Sequence, residues 1–208
     1  MPTDEPAPTS LVDTVTRLLG KTAGLPDETI TEAQARLGFE LPPPLVDLYT
    51  CAGGSPTIMA GFELVASPED LVVDDRLVFC EENQGVCRWG VPVGPADPPV
   101  FQQNDTGWFP EDVPLSEFLR VLMYLNCANG GYQWCGMTYL DETDPGADLD
   151  ELVSSWEPAV DHNGFVAFWR PDSLLWWMHD DGLPRYVFCA CRTKKSKKTA
   201  KELGFVKL

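Results

Sequence analysis

The sequence lacks the short motifs by which many enzymes are identified. It contains no nucleophile elbow, no phosphate-binding loop, no His-Glu-x-x-His pair and no dinucleotide fingerprint. Histidine is scarce as well, with only His162 and His179 in the chain. These absences favour a protein that binds a partner without catalysing a reaction, and we expect neither a cofactor nor a metal.

Long apolar runs are also missing. No stretch of 18 or more apolar residues occurs, which excludes a transmembrane helix. The N-terminal sequence MPTDEPAPTS has neither the basic start nor the apolar segment of a signal peptide. We therefore expect a cytoplasmic protein with no membrane partner. Hydrophobic residues nevertheless make up 44% of the chain, as in globular proteins and unlike disordered ones.

The seven cysteines are an odd number at irregular spacing. Cys80, Cys127 and Cys189 lie in apolar runs, where a free cysteine behaves as a small hydrophobic residue. A cytoplasmic location favours buried thiols over disulfides. Cys189 and Cys191 are separated by one residue, whereas the common zinc-ligand spacings need two or more. If this segment is a strand, both side chains lie on the same face, so a shared metal or a disulfide is the alternative.

Charge is distributed unevenly along the chain. The net charge is −17, but residues 192–208 carry +6, so the preceding 191 residues carry −23. A body this acidic repels nucleic acid and membrane surfaces and attracts a basic partner, although acidic surfaces also serve solubility alone. We interpret the Lys-rich segment as an exposed helix face and expect no nucleic-acid partner.

A stretch from Leu77 to Phe101 predicts the centre of a sheet. Its β-branched and aromatic residues lie on both sides of a turn at Glu82–Gly85, and a Pro-rich segment leads to a third strand. We expect its core to contain Phe79, Trp89, Val91 and Val100.

Further along the chain, capping and turn signals define the other elements. Predicted helices cover residues 10–19, a short segment capped at Thr29 or Thr31, a Pro-led segment that ends at Gly53-Gly54, and residues 115–128, 149–153 and 194–203. Further strands are predicted at 165–169, 174–178 and 186–191, while 132–140 is either a strand or irregular and 141–150 is an acidic loop.

These elements predict one α+β domain over residues 10–208, after a flexible acidic, Pro-rich tail at residues 1–9. Its mostly antiparallel sheet has about six strands and is flanked by helices.

One part of this order is similar to a known family. The run ITEAQARLGFELPPPLVDLYTCAGG, followed by the EENQGVCRWGV hairpin, a Trp-containing segment and the LSEFLRVLMYLN helix, resembles the SUKH superfamily (the Smi/Knr-type immunity protein family) over residues 30–130. The resemblance implies a non-enzymatic immunity protein that binds and neutralises a polymorphic toxin, often a nuclease. The acidic charge favours the same kind of partner, because a surface that grips phosphate is basic.

Acidic and aromatic residues near the central hairpin are the candidate contacts for such a basic partner. Glu81 and Glu82 are adjacent in a strand end and therefore point to opposite faces, which makes them a poor catalytic pair. We expect Asn83 to tolerate left-handed geometry in the turn. The predicted partner-binding residues are Glu81, Glu82, Asn83, Asp105, Trp108, Glu111 and Asp112.

Two other functions remain open. A regulatory or scaffold module would use the same sheet face for a host protein. A hydrolase would place its site at His179, Asp180 and Asp181, where a carboxylate can orient the imidazole. A turn over Asp180–Pro184 explains both acids without any chemistry.

Overall fold

The computed structural model describes residues 10–140, 143–178 and 182–208. Within these ranges the chain forms seven α-helices and twelve strands, and the strands pair in two antiparallel sheets of six strands each. The predicted α+β class with antiparallel pairing is confirmed, and the strands are shared between two sheets. The predicted tail at residues 1–9 lies outside the described residues.

Four helices form the first part of the chain, and local signals explain most of their ends. The Ser10 hydroxyl caps the first helix as predicted, since its Oγ accepts from the Asp13 N–H at 3.1 Å. The predicted caps at Thr29 and Thr31 are wrong, because the second helix begins earlier, after Pro26. The helices are α1 (Leu11–Leu19), α2 (Asp27–Leu37), α3 (Pro43–Ala52) and α4 (Pro56–Met59).

The first sheet contains the central hairpin. Its order is β1-β3-β4-β5-β6, with β2 paired to β3. The predicted core residues Phe79, Trp89, Val91 and Val100 are all buried. Gly85 adopts the left-handed conformation expected of Asn83. The strands are β1 (Leu64–Val65), β2 (Val72–Asp74), β3 (Arg76–Glu81), β4 (Arg88–Val91), β5 (Pro99–Asn104) and β6 (Gly107–Pro114).

Helix α5 (Leu115–Asn126) is the centre of the molecule and continues into a turn at Cys127–Gly131, in which Asn129 and Gly130 leave helical geometry. Its predicted burial is confirmed, since eight of its residues are buried. It packs in one continuous core with α1, α3, the first sheet and one face of the second. Residues on α5 can therefore contact both sheets.

The second sheet has the order β12-β7-β11-β10-β9-β8. The segment at 132–140 is a strand, and β8 was not predicted. The helix predicted at 149–153 is confirmed, but the expected acidic loop is wrong from Pro145 onward, because Asp144 Oδ1 accepts from the Ala147 N–H at 3.1 Å and starts the helix earlier. The elements are β7 (Trp134–Tyr139), α6 (Pro145–Val153), β8 (Glu157–His162), β9 (Phe165–Arg170), β10 (Ser173–Met178), β11 (Tyr186–Cys191), α7 (Lys194–Glu202) and β12 (Val206–Lys207).

A second core lies on the other face of this sheet, under α6 and α7. Cys189 and Cys191 share that face, as the strand geometry predicts, with their Sγ atoms 3.7 Å apart as free thiols. The burial expected for Cys80, Cys127 and Cys189 is confirmed. Among the described helices, none has the length and apolar character needed to cross a membrane.

Candidate functional site: a cleft between the two sheets

A cleft of about 300 Å³ lies between the first sheet and the β8–β9 hairpin. Its floor is one face of α5, and its two walls come from segments that are distant in the sequence. No lysine or arginine is among the described residues that line it. The lining residues are Glu63, Trp89, Gln102, Glu111, Phe118, Val121, Leu122, Leu125, His162, Asn163, Phe165 and Met178.

Glu111 is aimed into the cleft by an irregularity in β6. Pro110 pairs with Phe101 and Pro114 with Pro99, so extra residues bulge out of β6 between the two pairs. Asp112 takes a positive φ of 58° within this bulge. A bulge of this kind redirects the side chains beside it, which is a common use near binding sites.

Both oxygens of the Glu111 carboxylate accept hydrogen bonds. Oε1 accepts from the indole N–H of Trp89 at 2.7 Å, and Oε2 accepts from Nδ2 of Asn163 at 3.1 Å. Trp89 belongs to the first sheet and Asn163 to the β8–β9 hairpin, so this carboxylate connects the two walls. Each oxygen retains acceptor capacity, because an ionised carboxylate offers about four lone-pair sites.

Asn163 owes its position to a tight turn. The turn consists of Asn163 and Gly164 between the paired residues His162 and Phe165, and both have positive φ, 47° and 79°. An Asn-Gly pair is the preferred sequence for a two-residue hairpin of this geometry. The turn places the Asn163 amide against Glu111.

Glu63 is held in place by Asn126, the last residue of α5. Asn126 Oδ1 accepts from the backbone N–H groups of Phe62 and Glu63 at 3.2 and 2.8 Å. Its Nδ2 donates to the carbonyls of Ile58 and Glu63 at 2.6 and 3.0 Å. These four bonds fix the loop before β1 to the central helix and direct the Glu63 side chain into the cleft.

The Glu63 side chain is 6% exposed, and its Oε2 atom is buried without a hydrogen-bond partner among the described residues. Burial, together with the nearby carboxylate of Glu82, raises its pKa to about 7, an effect that the backbone N–H of Asn83 opposes. Burial and the carboxylates of Glu63, Glu82 and Glu111 likewise raise the pKa of the Cys87 thiol. Cys87 therefore stays protonated, and the cleft is both acidic and partly dry.

We expect the burial of Glu63 to make stability fall as pH rises. Because its pKa is about 7 in the folded chain and lower when unfolded, the folded state holds a proton that the unfolded state releases between about pH 4.5 and 7. Since the cleft opens to water, we expect the wild type to lose about 1–2 kcal/mol relative to Glu63→Gln over that range. Urea unfolding of both proteins at pH 5 and pH 8 measures this difference.

The difference between the two proteins isolates Glu63 from its neighbours. Glu82, Cys87, Glu111 and His162 surround the same space and are present in both proteins. A matched Glu81→Gln variant removes a carboxyl group on the opposite face and should show no such pH trend. Parallel stability curves for wild type and Glu63→Gln would mean that Glu63 is solvated.

The structure divides the predicted partner-binding residues between the two faces of the first sheet. Glu111 lines the cleft, while Glu82 and Asn83 act on Glu63 from the adjoining turn. Glu82 also has a structural role, since its Oε2 accepts from the Gln84 N–H at 2.7 Å. Asp112 is exposed in the β6 bulge.

Glu81, Asp105 and Trp108 lie away from the cleft. Glu81 and Asp105 line a separate groove, together with Arg88, on the outer face of the sheet. Glu81 and Glu82 therefore lie on opposite faces, as expected for adjacent residues of a strand. Trp108 is half-buried beside two arginines of its own sheet, Arg76 at 5.5 Å and Arg88 at 6.0 Å from the ring centroid. The Trp108 ring therefore already interacts with cations of its own chain.

Four further residues of the cleft were not predicted as functional. Glu63 lies between two apolar residues, Phe62 and Leu64, and this placement was the only sign in the sequence that its side chain is buried. Asn163 belongs to an Asn-Gly pair, a hairpin signal that was available. Trp89 was expected only in the core, and no role was predicted for His162, which ends β8. The Nε2 atom of His162 is buried and has no hydrogen-bond partner among the described residues.

The alternative hydrolase site at His179, Asp180 and Asp181 lies outside the described residues. Across the part of the chain that is described, no group of three or more His, Cys, Asp or Glu residues is placed to hold a metal ion. No protein-family model, curated protein or solved structure matches this chain.

Proposed function

We propose that this chain is a cytoplasmic, non-enzymatic binding protein of the SUKH immunity type, which neutralises a basic toxin domain by docking it over the cleft. The observation that carries the proposal is the cleft itself: the carboxylates of Glu63 and Glu111 line it from two separate segments, with Glu82 close to Glu63, and no basic residue among the described lining residues offsets them. Such an uncompensated site is stabilised by a cationic partner.

Charge over the whole chain supports the same proposal. The first 191 residues carry −23, and Arg88, on the outer face of the first sheet, is already paired with Asp74. A field of this strength attracts a basic partner before contact and suppresses encounters with nucleic acid. Met178 is 56% exposed at the mouth of the cleft, so its side chain can act as an apolar anchor for the partner.

The association rate with the partner should depend strongly on salt. We expect it to fall about tenfold between 50 and 500 mM NaCl, because steering acts through screened charge. The experiment co-expresses this chain with each candidate basic toxin domain taken from the neighbouring genes, scores growth, and measures the association rate by stopped flow. Restored growth with a salt-dependent rate is the expected result.

Two matched variants locate the docking face. Glu111→Gln removes a charge from the cleft and should slow association, whereas Asp105→Asn removes one from the outer face and should have a smaller effect. A rate that does not change with salt, or a complex formed only with a housekeeping protein, would contradict the proposal and favour the scaffold alternative.

A further inference from the structure

We propose that the cleft is a receptor for a single arginine side chain, which the basic partner inserts between Glu63 and Glu111. This inference rests on the proposed function for the source of the arginine, but the cleft's chemistry is argued and tested without the partner. Its volume of about 300 Å³ is at the lower end for ligand sites, which suits one side chain.

The first argument is an unmet need for a donor. Glu63 is 6% exposed and Oε2 has no hydrogen-bond partner among the described residues, although it lines an accessible cleft. A buried acceptor without a donor is costly unless a ligand supplies one. A cation supplies both the donor and the opposite charge.

The second argument is preorganisation. Glu111 is fixed by the Trp89 indole at 2.7 Å and the Asn163 amide at 3.1 Å, and it keeps free lone pairs for a further donor. A guanidinium has five N–H donors in a planar fork, so it can reach two carboxylates at once. An ammonium group would meet one of them as a point charge.

The third argument is the surrounding apolar wall. The rings of Trp89, Phe118 and Phe165 and the thioether of Met178 line the same cleft. Guanidinium is weakly hydrated and stacks on aromatic rings, whereas ammonium holds its water more strongly. These walls therefore favour arginine over lysine.

Other titratable groups face the same space, and each bears on the pH dependence of capture. Glu82 and Cys87 approach Glu63 from the β3–β4 connection, Glu111 from β6, and His162 from the end of β8. Arginine favours the ionised form of Glu63, so capture releases a proton below about pH 7. Affinity should fall about tenfold from pH 8 to pH 6, and Glu63→Gln should remove most of that dependence.

Acetyl-arginine amide is the probe, with acetyl-citrulline amide as the neutral control of equal shape and acetyl-lysine amide as the competing cation. The readout is the Trp89 indole N–H signal in ¹H–¹⁵N spectra of the full chain at pH 8. We expect a saturable shift with arginine, a weaker one with lysine and none with citrulline. Glu63→Gln should weaken arginine binding at least about tenfold, since hydrogen bonds to charged groups are the strong ones.

Glu81→Gln is the matched variant, because it removes an equal charge from the same hairpin on the opposite face and should leave binding unchanged. Amide spectra verify that both variants are folded. No saturable shift with arginine, an equal shift with citrulline, or undiminished binding by Glu63→Gln would each overturn the inference. If acetyl-arginine amide binds as expected but no toxin domain forms a complex with the chain, the proposed function alone is refuted and this inference stands.

Discussion

Replacing Asn126 with Ala should lower the free energy of unfolding by about 3–5 kcal/mol, the largest loss we expect from a single polar side chain in this protein. Asn126 is fully buried and makes four hydrogen bonds to backbone groups of α4 and of the loop before β1. Its removal leaves two N–H groups and two carbonyls without partners, and each such buried group costs about 1–3 kcal/mol when local rearrangement does not satisfy it.

Urea unfolding monitored by far-UV circular dichroism measures the loss. Asn104→Ala is the matched control, since Asn104 Oδ1 also accepts two hydrogen bonds, from the Thr106 N–H and hydroxyl, but in an exposed turn. We expect it to cost about 0.5–1 kcal/mol, because water replaces the lost contacts. Similar losses for the two variants would show that water or a shifted backbone satisfies the loop without Asn126.

The same substitution should also impair the cleft. Asn126 holds the backbone of Glu63, so its loss frees the Glu63 side chain to turn toward solvent. We expect the pKa of Glu63 to move back toward the ordinary range of a glutamate in Asn126→Ala, which carbon-detected NMR titration measures in the folded population. Stability and site geometry are therefore coupled through one residue.

Replacing Phe118 with Ala should cost about 3–4 kcal/mol, the usual range for removing a buried aromatic ring. The Phe118 ring is 8% exposed and packs edge-on against Phe79, with centroids 5.8 Å apart, and at 5.9 Å from Trp89. The substitution removes the floor of the cleft and the support beneath the Trp89 indole. Because protein interiors are closely packed, the cavity left by the ring both lowers stability and loosens the cleft.

Phe118→Leu separates the two effects by keeping most of the volume. We expect it to lose about 1–1.5 kcal/mol in urea unfolding and to retain the Trp89–Glu111 hydrogen bond. Phe118→Ala should lose arginine capture along with stability, whereas Phe118→Leu should lose little of it. A loss below about 1 kcal/mol for Phe118→Ala would mean that α5 collapses onto the sheet and fills the space.

Local signals in the sequence predicted much of the fold. Ser10 marks the start of α1, the prolines before Leu45 mark that of α3, and the apolar face of α5 indicates its central position. Strand β8 (Glu157–His162) was missed because only Val160 in it is fully buried and Pro158 argues against a strand. It is an edge strand, where one buried residue is enough.

The cleft was mostly beyond prediction, for a physical reason. Its two key carboxylates lie 48 positions apart in the chain, and the residue that positions Glu63 lies 63 positions away from it. Burial of Glu63 is thus a property of tertiary packing, and no local pattern encodes it. Glu111 was predicted from its acidic surroundings, but its orientation depends on a bulge and on a turn in the other sheet.

The Asn163–Gly164 turn gives the cleft a wall that can change independently of the rest. The opposite wall and the floor belong to the core, whereas this turn joins two strands at the edge of the second sheet and Asn163 is exposed. Replacing Asn163 with Asp or Gly, which also tolerate its positive φ, alters the hydrogen bonding of the cleft at little cost to stability. Partner preference can therefore diverge between descendants of this protein while the carboxylates and the scaffold that buries them are inherited intact.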